Sequence, residues 1–316
     1  MKVSEFYARK PFVFSIEIFP PKTSEGFKRL KRTLWKFRNY TPDFISVTYG
    51  AGGSTRQNTH NLAAFIQKEL GIEAMAHLTC VSHTCDEIER VLQQLLASGI
   101  ENLMALRGDP PRDKEHYTRP RHGFGYAVEL INTVKSLNEF CIGAAGYPEG
   151  HVENPDREVD LKHQIAKVEA GAELLVSQFF LDNTHFLHWR DRLRSEGVEV
   201  PLIPGLFPPR SLEALERMAD LCGVSIPESL GNNLARREED PLALREIGWE
   251  HTERQIEELI REGAEGVHLY ALNQLDTVRR LSCSLKRIPD DKETVSAKNQ
   301  VHRVTCTDAS PAYVIS

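Results

Sequence analysis

Cys141-Ile142-Gly143-Ala144-Ala145, followed by a helical stretch at Val159–Ala170 and then by Leu174-Leu175-Val176-Ser177-Gln178, makes one strand–helix–strand unit. The outer segments are short and apolar, as buried strands are. In the middle one, Leu161, Ile165 and Val168 recur at i, i+4 and i+7, which gathers them on one apolar helix face. Strands joined through a helix run parallel and cross over right-handedly.

The same alternation continues in both directions. Upstream, strands are expected at Phe12–Phe19, Phe44–Thr48, Ala74–Leu78 and Asn102–Leu106, with helices at Ser24–Asn39, Thr59–Leu70 and Cys85–Ser98 between them. Downstream, Leu202–Pro204 and Gly266–Tyr270 read as strands and Leu275–Leu285 as a closing helix. Between Ser211 and Glu262 the pattern holds more than one helix, broken at Ile226-Pro227 and Asp240-Pro241. Eight or so such strands predict an α/β fold, a single (β/α)8 TIM barrel with extra helices between the seventh and eighth strands. An open doubly wound sheet usually has fewer strands, and no G-x-G-x-x-G follows the first one. The barrel is expected over residues 1–289, with a polar, aperiodic and flexible tail over 290–316.

Composition narrows the function. A formal net charge of −6 argues against nucleic acid as a partner, because binding phosphates needs a basic surface. No apolar run approaches the roughly 20 residues that cross a bilayer, so no membrane partner is expected. Cys80, Cys85, Cys141, Cys222, Cys283 and Cys306 are scattered, and the first residues do not read as a signal peptide. Both point to a reducing, cytoplasmic setting.

Barrel enzymes work at the carboxyl ends of their strands. In the first strand Phe12, Phe14, Ile16 and Ile18 share the helix-facing side, which turns Glu17 into the barrel mouth. A carboxylate held there loses part of its hydration, the condition under which a carboxyl serves as general acid. A structural pairing with a barrel Arg or Lys fits the pattern equally well. Other strand ends are polar too: Thr48-Tyr49 before a glycine-rich run, His77-Leu78-Thr79, Arg107-Gly108-Asp109, Tyr147 through His151, Gln178, and Tyr270 through Asn273. One such residue means little, but a polar group at nearly every strand end favours a binding cleft. Asp160, His163 and Lys167 fall on one helix face, which is either solvated or turned toward a phosphate or ribose; spacing does not separate the two. His77, Cys80, His83 and Cys85 are compactly spaced, but zinc sites usually draw two ligand pairs from separated turns, so no metal is expected.

Taken together, Ser15–Thr23, Ser46–Gly52, His77–Cys80, Ala105–Asp109, Ala145–His151, Gln178–Phe180 and Pro204-Gly205 resemble, in order, the motifs of the methylenetetrahydrofolate reductase family of the bacterial type. The resemblance spans about residues 12 to 286. It implies a barrel that holds FAD and reduces 5,10-methylenetetrahydrofolate to 5-methyltetrahydrofolate with NADH or NADPH, by ping-pong kinetics. It implies Glu17 as the acid that protonates N10 of the folate, with hydride delivered from flavin N5. Asp109 is implied as the second catalytic carboxylate, contacting the pterin and tuning the flavin. FAD contacts are implied at Thr48, Tyr49, Ala51, His77, Arg107, Gly108, Asp109, Tyr126, Ala127, Tyr147, His151, Asp160, His163 and Lys167. Substrate contacts are implied at Glu17, Asp109, Gln178 and Gln274, and a homo-oligomer is implied as well.

The chain also departs from the family pattern. Leu272-Asn273-Gln274 stands where many relatives have Leu-Asn-Arg, Ala214 stands where relatives can have Gln, and Ile16-Glu17-Ile18 replaces Phe-Glu-Phe. Gln274 removes a fixed cation that Gln cannot replace. The absence of a long C-terminal regulatory domain leads us to expect no inhibition by S-adenosylmethionine. Two other classes stand beside this reading: a flavin-independent folate one-carbon transferase or lyase barrel, and a non-catalytic flavin- or folate-binding protein.

Overall fold

Strands β1 (Val13–Ile18), β2 (Phe44–Val47), β3 (Glu73–Thr79), β4 (Asn102–Leu106), β5 (Cys141–Gly146), β6 (Leu174–Phe179), β7 (Leu202–Leu206) and β8 (Gly266–Tyr270) pair in chain order, all parallel, and β8 returns to β1. The computed structural model describes residues 1–49, 56–109 and 118–285. The expected tail at 290–316 therefore lies outside the described residues, as does Cys306.

Among the described residues the helices are α1 (Ser4–Arg9), α2 (Ser24–Phe37), α3 (Arg56–Phe65), α4 (Cys85–Ala97), α5 (Ala127–Leu137), α6 (Arg157–Glu169), α7 (Asn183–Ser195), α8 (Leu212–Cys222), α9 (Glu228–Ala235), α10 (Pro241–Arg261) and α11 (Leu275–Leu285). The two proline breaks fall where helices begin. Pro227 precedes α9, and Asp240 caps α10 through Leu242 N and Ala243 N, with Pro241 in its first turn. The helix expected to run unbroken to Leu70 instead ends in a π-helical turn, Ile66–Leu70, which Gly71 closes in a left-handed conformation (φ 64°).

The first strand alternates as its pattern requires. Phe14, Ile16 and Ile18 pack against the helices in the main core, while Val13 points inward. The interior is graded along its axis. At the amino ends of the strands, Val13, Phe44, Met75, Cys141, Leu174 and Ile203 form an apolar plug, closed from outside by Val3 just ahead of α1. Val3 is fully buried, and its N–H donates to Asn102 Oδ1 at 2.7 Å. The next layer is polar: His268 of β8 lies between the hydroxyls of Ser15 (Nδ1–Oγ 2.7 Å) and Ser46 (Nε2–Oγ 3.2 Å). Above it the interior opens.

Strand β7 runs two residues beyond the expected end at Pro204. A proline in a buried strand lacks a ladder donor, and the β6–β7 pairing is irregular between Val176 and Phe179. Ser177 Oγ there accepts the Gly205 N–H at 2.8 Å, so a side chain completes what the ladder cannot. A Cβ at Gly205 would lie 2.2 Å from Ser177 O, so the approach of the two strands requires glycine.

Candidate active site

A cavity of about 1140 Å³ opens over the carboxyl ends of the strands. Glu17 lies in its wall, 21 % exposed, and its Oε2 is 3.5 Å from His77 Nε2 and 3.7 Å from His268 Nε2. Both distances are too long for hydrogen bonds. Among the described residues no Lys or Arg forms an ion pair with Glu17. Burial lowers the His77 imidazole to about 4, keeping it uncharged near neutrality despite the facing carboxylate. Among the described residues His77 Nε2 is buried without a hydrogen-bond partner, an unusual state that a ligand's polar atom would relieve.

The rest of the expected set gathers round the same cavity. Thr48 and Tyr49 follow β2, Arg107, Gly108 and Asp109 follow β4, and Tyr126 and Ala127 start α5. Tyr147 and His151 come after β5, Asp160, His163 and Lys167 lie on α6, and Gln178 lies on β6. Ala51 lies outside the described residues. Gln274 is exposed and does not line the cavity; its N–H donates to Ala271 O at 2.8 Å, and Leu272 is the wall residue of that turn.

The polar face of α6 is turned inward, not solvated. Asp160 is 4 % exposed, and its Oδ2 accepts from His151 N at 3.2 Å and Gln164 Nε2 at 2.8 Å. Lys167 Nζ donates to Ala145 O at 2.8 Å and lies 4.9 Å from the centre of the Tyr147 ring. Burial draws its pKa down to about 8, Asp160 opposing and Arg107 adding to the shift. His163 is the exposed member of the set.

Gly108 adopts φ 80°, and a Cβ there would sit 2.8 Å from Thr79 Cβ. Only glycine lets the backbone between Arg107 and Asp109 lie this close to β3. Of the compact His/Cys run, Cys80 Sγ donates to Leu106 O and Tyr126 O, and His83 Nε2 meets Tyr49 OH at 2.9 Å. No group of three or more metal-ligating side chains converges among the described residues.

Sequence reading missed several residues of this region. His268 was open to detection, since the flanking Val267 and Leu269 face the helices and strand alternation turns the residue between them inward. Gln164, whose Oε1 accepts from Tyr147 N and Trp189 Nε1, gave no sign in one dimension. Neither did Glu153, which pairs with Arg107, nor the apolar wall residues Phe207, in the loop after β7, and Met218 of α8.

Comparison with known proteins agrees with this architecture. The 5,10-methylenetetrahydrofolate reductase of Escherichia coli K12 is 34 % identical over 262 residues, covering 83 % of this chain and 86 % of that protein. Methylenetetrahydrofolate reductase 1 of Schizosaccharomyces pombe is 32 % identical over 305 residues, 96 % of this chain but 50 % of its own length. The chain thus spans about half the length of the fungal and plant relatives it matches. A solved structure of a Clostridium thermocellum protein, described as binding two copies of 5-methyl-5,6,7,8-tetrahydrofolic acid, superposes with a TM-score of 0.62 at 17 % identity, covering 91 % of this chain and 99 % of that one. That likeness concerns the fold. The family model described as methylenetetrahydrofolate reductase matches residues 2–286, from the segment that plugs the barrel floor to the end of the last helix, and the chain belongs to that family.

Proposed function

We propose that this barrel reduces 5,10-methylenetetrahydrofolate to 5-methyltetrahydrofolate, with FAD as the bound carrier and NADH or NADPH as the reductant. The observation that carries the reading is the setting of Glu17: a carboxyl in the wall of a large cavity, with an uncharged imidazole 3.5 Å away and, among the described residues, no Lys or Arg paired with it.

The residues fit FAD. At about 1140 Å³ the cavity is slightly larger than the roughly 300–1,000 Å³ usual for small-molecule sites, as a dinucleotide needs. Gly108 brings bare backbone to its wall, Arg107 and Lys167 bring positive charge, and His77 Nε2 offers a buried polar atom with no hydrogen-bond partner among the described residues. Bound FAD supplies a hydride carrier that the nicotinamide loads and the folate unloads.

Glu17 holds the proton that folate N10 takes as the imidazolidine ring opens, which exposes the methylene carbon to hydride. His77, held uncharged by burial, faces the acid, and the Ser15–His268–Ser46 layer supports the site from below. Asp109 stands at the rim, where a carboxylate meets the polar edge of the pterin. The apolar wall of Phe179, Phe207 and Met218 excludes water from the flat rings. One cavity serving two substrates takes them in turn, which is ping-pong behaviour.

Anaerobic rapid mixing of the FAD-loaded protein tests this, with Glu17→Gln beside wild type. The nicotinamide should bleach the oxidised flavin band in both proteins, and methylenetetrahydrofolate should restore it in wild type alone. A protein that takes up no flavin would turn the reading toward a flavin-independent barrel. Equal restoration in Glu17→Gln would remove the acid from this role.

A further inference from the structure

Arg107 does not face the cavity unaccompanied. Its Nη1 donates to Glu153 Oε2 at 2.5 Å and its Nη2 to Glu153 Oε1 at 2.7 Å, a bidentate pair on the cavity wall. The side chains are 28 % and 54 % exposed, so water and salt screen the pair and it exchanges readily. Among the described residues the Glu153 carboxylate accepts from nothing else. Asp160, on the same wall, is buried and committed to His151 N and Gln164. The Glu153 N–H donates to His151 Nδ1 at 3.1 Å, so the main chain is tied down whether or not the side chain turns away. Once it turns away, the guanidinium is left beside His151 and Lys167, whose pKa values Arg107 helps to lower. That leaves a cationic wall in want of an anion.

A ligand carrying one carboxylate gains little here, because Glu153 offers the same group from within the chain at high effective concentration. An anion with more charge and more acceptor oxygens satisfies the charges of Arg107 and Lys167 together, and displaces Glu153. We propose that Glu153 is an internal stand-in for the diphosphate group of a dinucleotide: it holds the Arg107 fork in bonding geometry in the free protein and gives way to phosphate oxygens on binding. Glu153 thereby sets the affinity of the site and filters out singly charged anions. The choice of FAD as that dinucleotide rests on the function proposed above; the exchange itself does not.

Calorimetric titration of the flavin-free protein with inorganic pyrophosphate tests the exchange, using wild type, Glu153→Gln and the distant surface variant Glu238→Gln. Glu153→Gln should bind pyrophosphate roughly fivefold more tightly, the size expected from removing a screened ion-pair competitor. It should also bind acetate relatively better, while Glu238→Gln matches wild type. Equal or weaker pyrophosphate binding by Glu153→Gln, or no binding by either protein, overturns the proposal. FAD titrated by fluorescence separates the two ideas. Tighter pyrophosphate without any FAD uptake keeps the stand-in and discards the flavin reading. FAD bound equally by both proteins, with pyrophosphate affinity also unchanged, keeps the flavin reading and discards the stand-in.

Discussion

Asn273 and Phe19 exchange two hydrogen bonds across the mouth of the barrel: Asn273 Nδ2 donates to Phe19 O at 2.9 Å, and Asn273 Oδ1 accepts from Phe19 N at 3.1 Å. The amide side chain thus extends the β1–β8 pairing beyond its last backbone partners, Glu17 and Tyr270. It fixes the chain two residues past the acid. Asn273 itself sits at φ 62°, a left-handed conformation that Asn tolerates better than most residues.

Asn273→Gly should therefore keep the backbone and lose the clamp. We expect about 1–2 kcal/mol of destabilisation for two half-exposed hydrogen bonds, read as a lowered urea midpoint. Folate-dependent reoxidation should slow several-fold while reduction by the nicotinamide stays near wild type. Slowing of both half-reactions alike would show that the clamp does not act through Glu17.

His77 makes stability depend on pH. Its folded pKa of about 4 lies below the unfolded value near 6.5, so the unfolded chain binds the extra proton first as pH falls. The stability associated with neutral His77 is complete above about pH 6.5 and is lost progressively down to about pH 4, by an amount on the order of a few kcal/mol. Urea unfolding at pH 7.5 and 4.5 should show a smaller drop in His77→Gln than in wild type.

Lys167 titrates on the other side of neutrality. With its pKa drawn down to about 8, it is charged at pH 7 and largely neutral by pH 9.5. FAD affinity measured across that range should fall with a midpoint near pH 8. Lys167→Met should be weak and flat, and Lys167→Arg should hold its affinity to higher pH, since a guanidinium keeps its charge.

Gly108→Ala sets a left-handed φ of 80° against a Thr79 Cβ only 2.8 Å away. A loss of roughly 1–3 kcal/mol is expected from the strain, visible as a lower Tm. FAD binding should weaken beyond what the Tm predicts, because Arg107 and Asp109 flank the shifted peptide.

Much of this molecule was legible in one dimension because the physics involved is local. Alternation along β1 turned Glu17 inward, and Asp240-Pro241 announced a helix break, which in the structure is the capped start of α10. The fate of the α6 face was not legible: Asp160 and Lys167 satisfy the spacing of a solvated stripe, and only the packing of α6 against β5 decides which way they look. Pro204-Gly205 read as the end of a strand because the compensating donor and acceptor lie on another strand, at Ser177. Glu153 and Gln164 were invisible for the same reason, since Arg107 lies 46 residues from Glu153, and Tyr147 and Trp189 lie 17 and 25 residues from Gln164. Gln274 shows the converse, a motif position whose place in the sequence put it nearer the site than its fold does.

The Gln164 amide has a practical consequence. It joins Tyr147 N, Asp160 and the indole of Trp189 at 2.9, 2.8 and 2.8 Å, so one side chain ties two cavity residues to a tryptophan that is 4 % exposed on an outer helix. Of the three tryptophans, Trp35 lies at the surface and Trp249 of α10 donates to Thr277 Oγ1 of α11. Trp189 is therefore a built-in optical reporter. A ligand that settles against Tyr147 and Asp160 shifts the polarity its ring senses, so occupancy of the cavity should be readable as a change in emission from unlabelled protein.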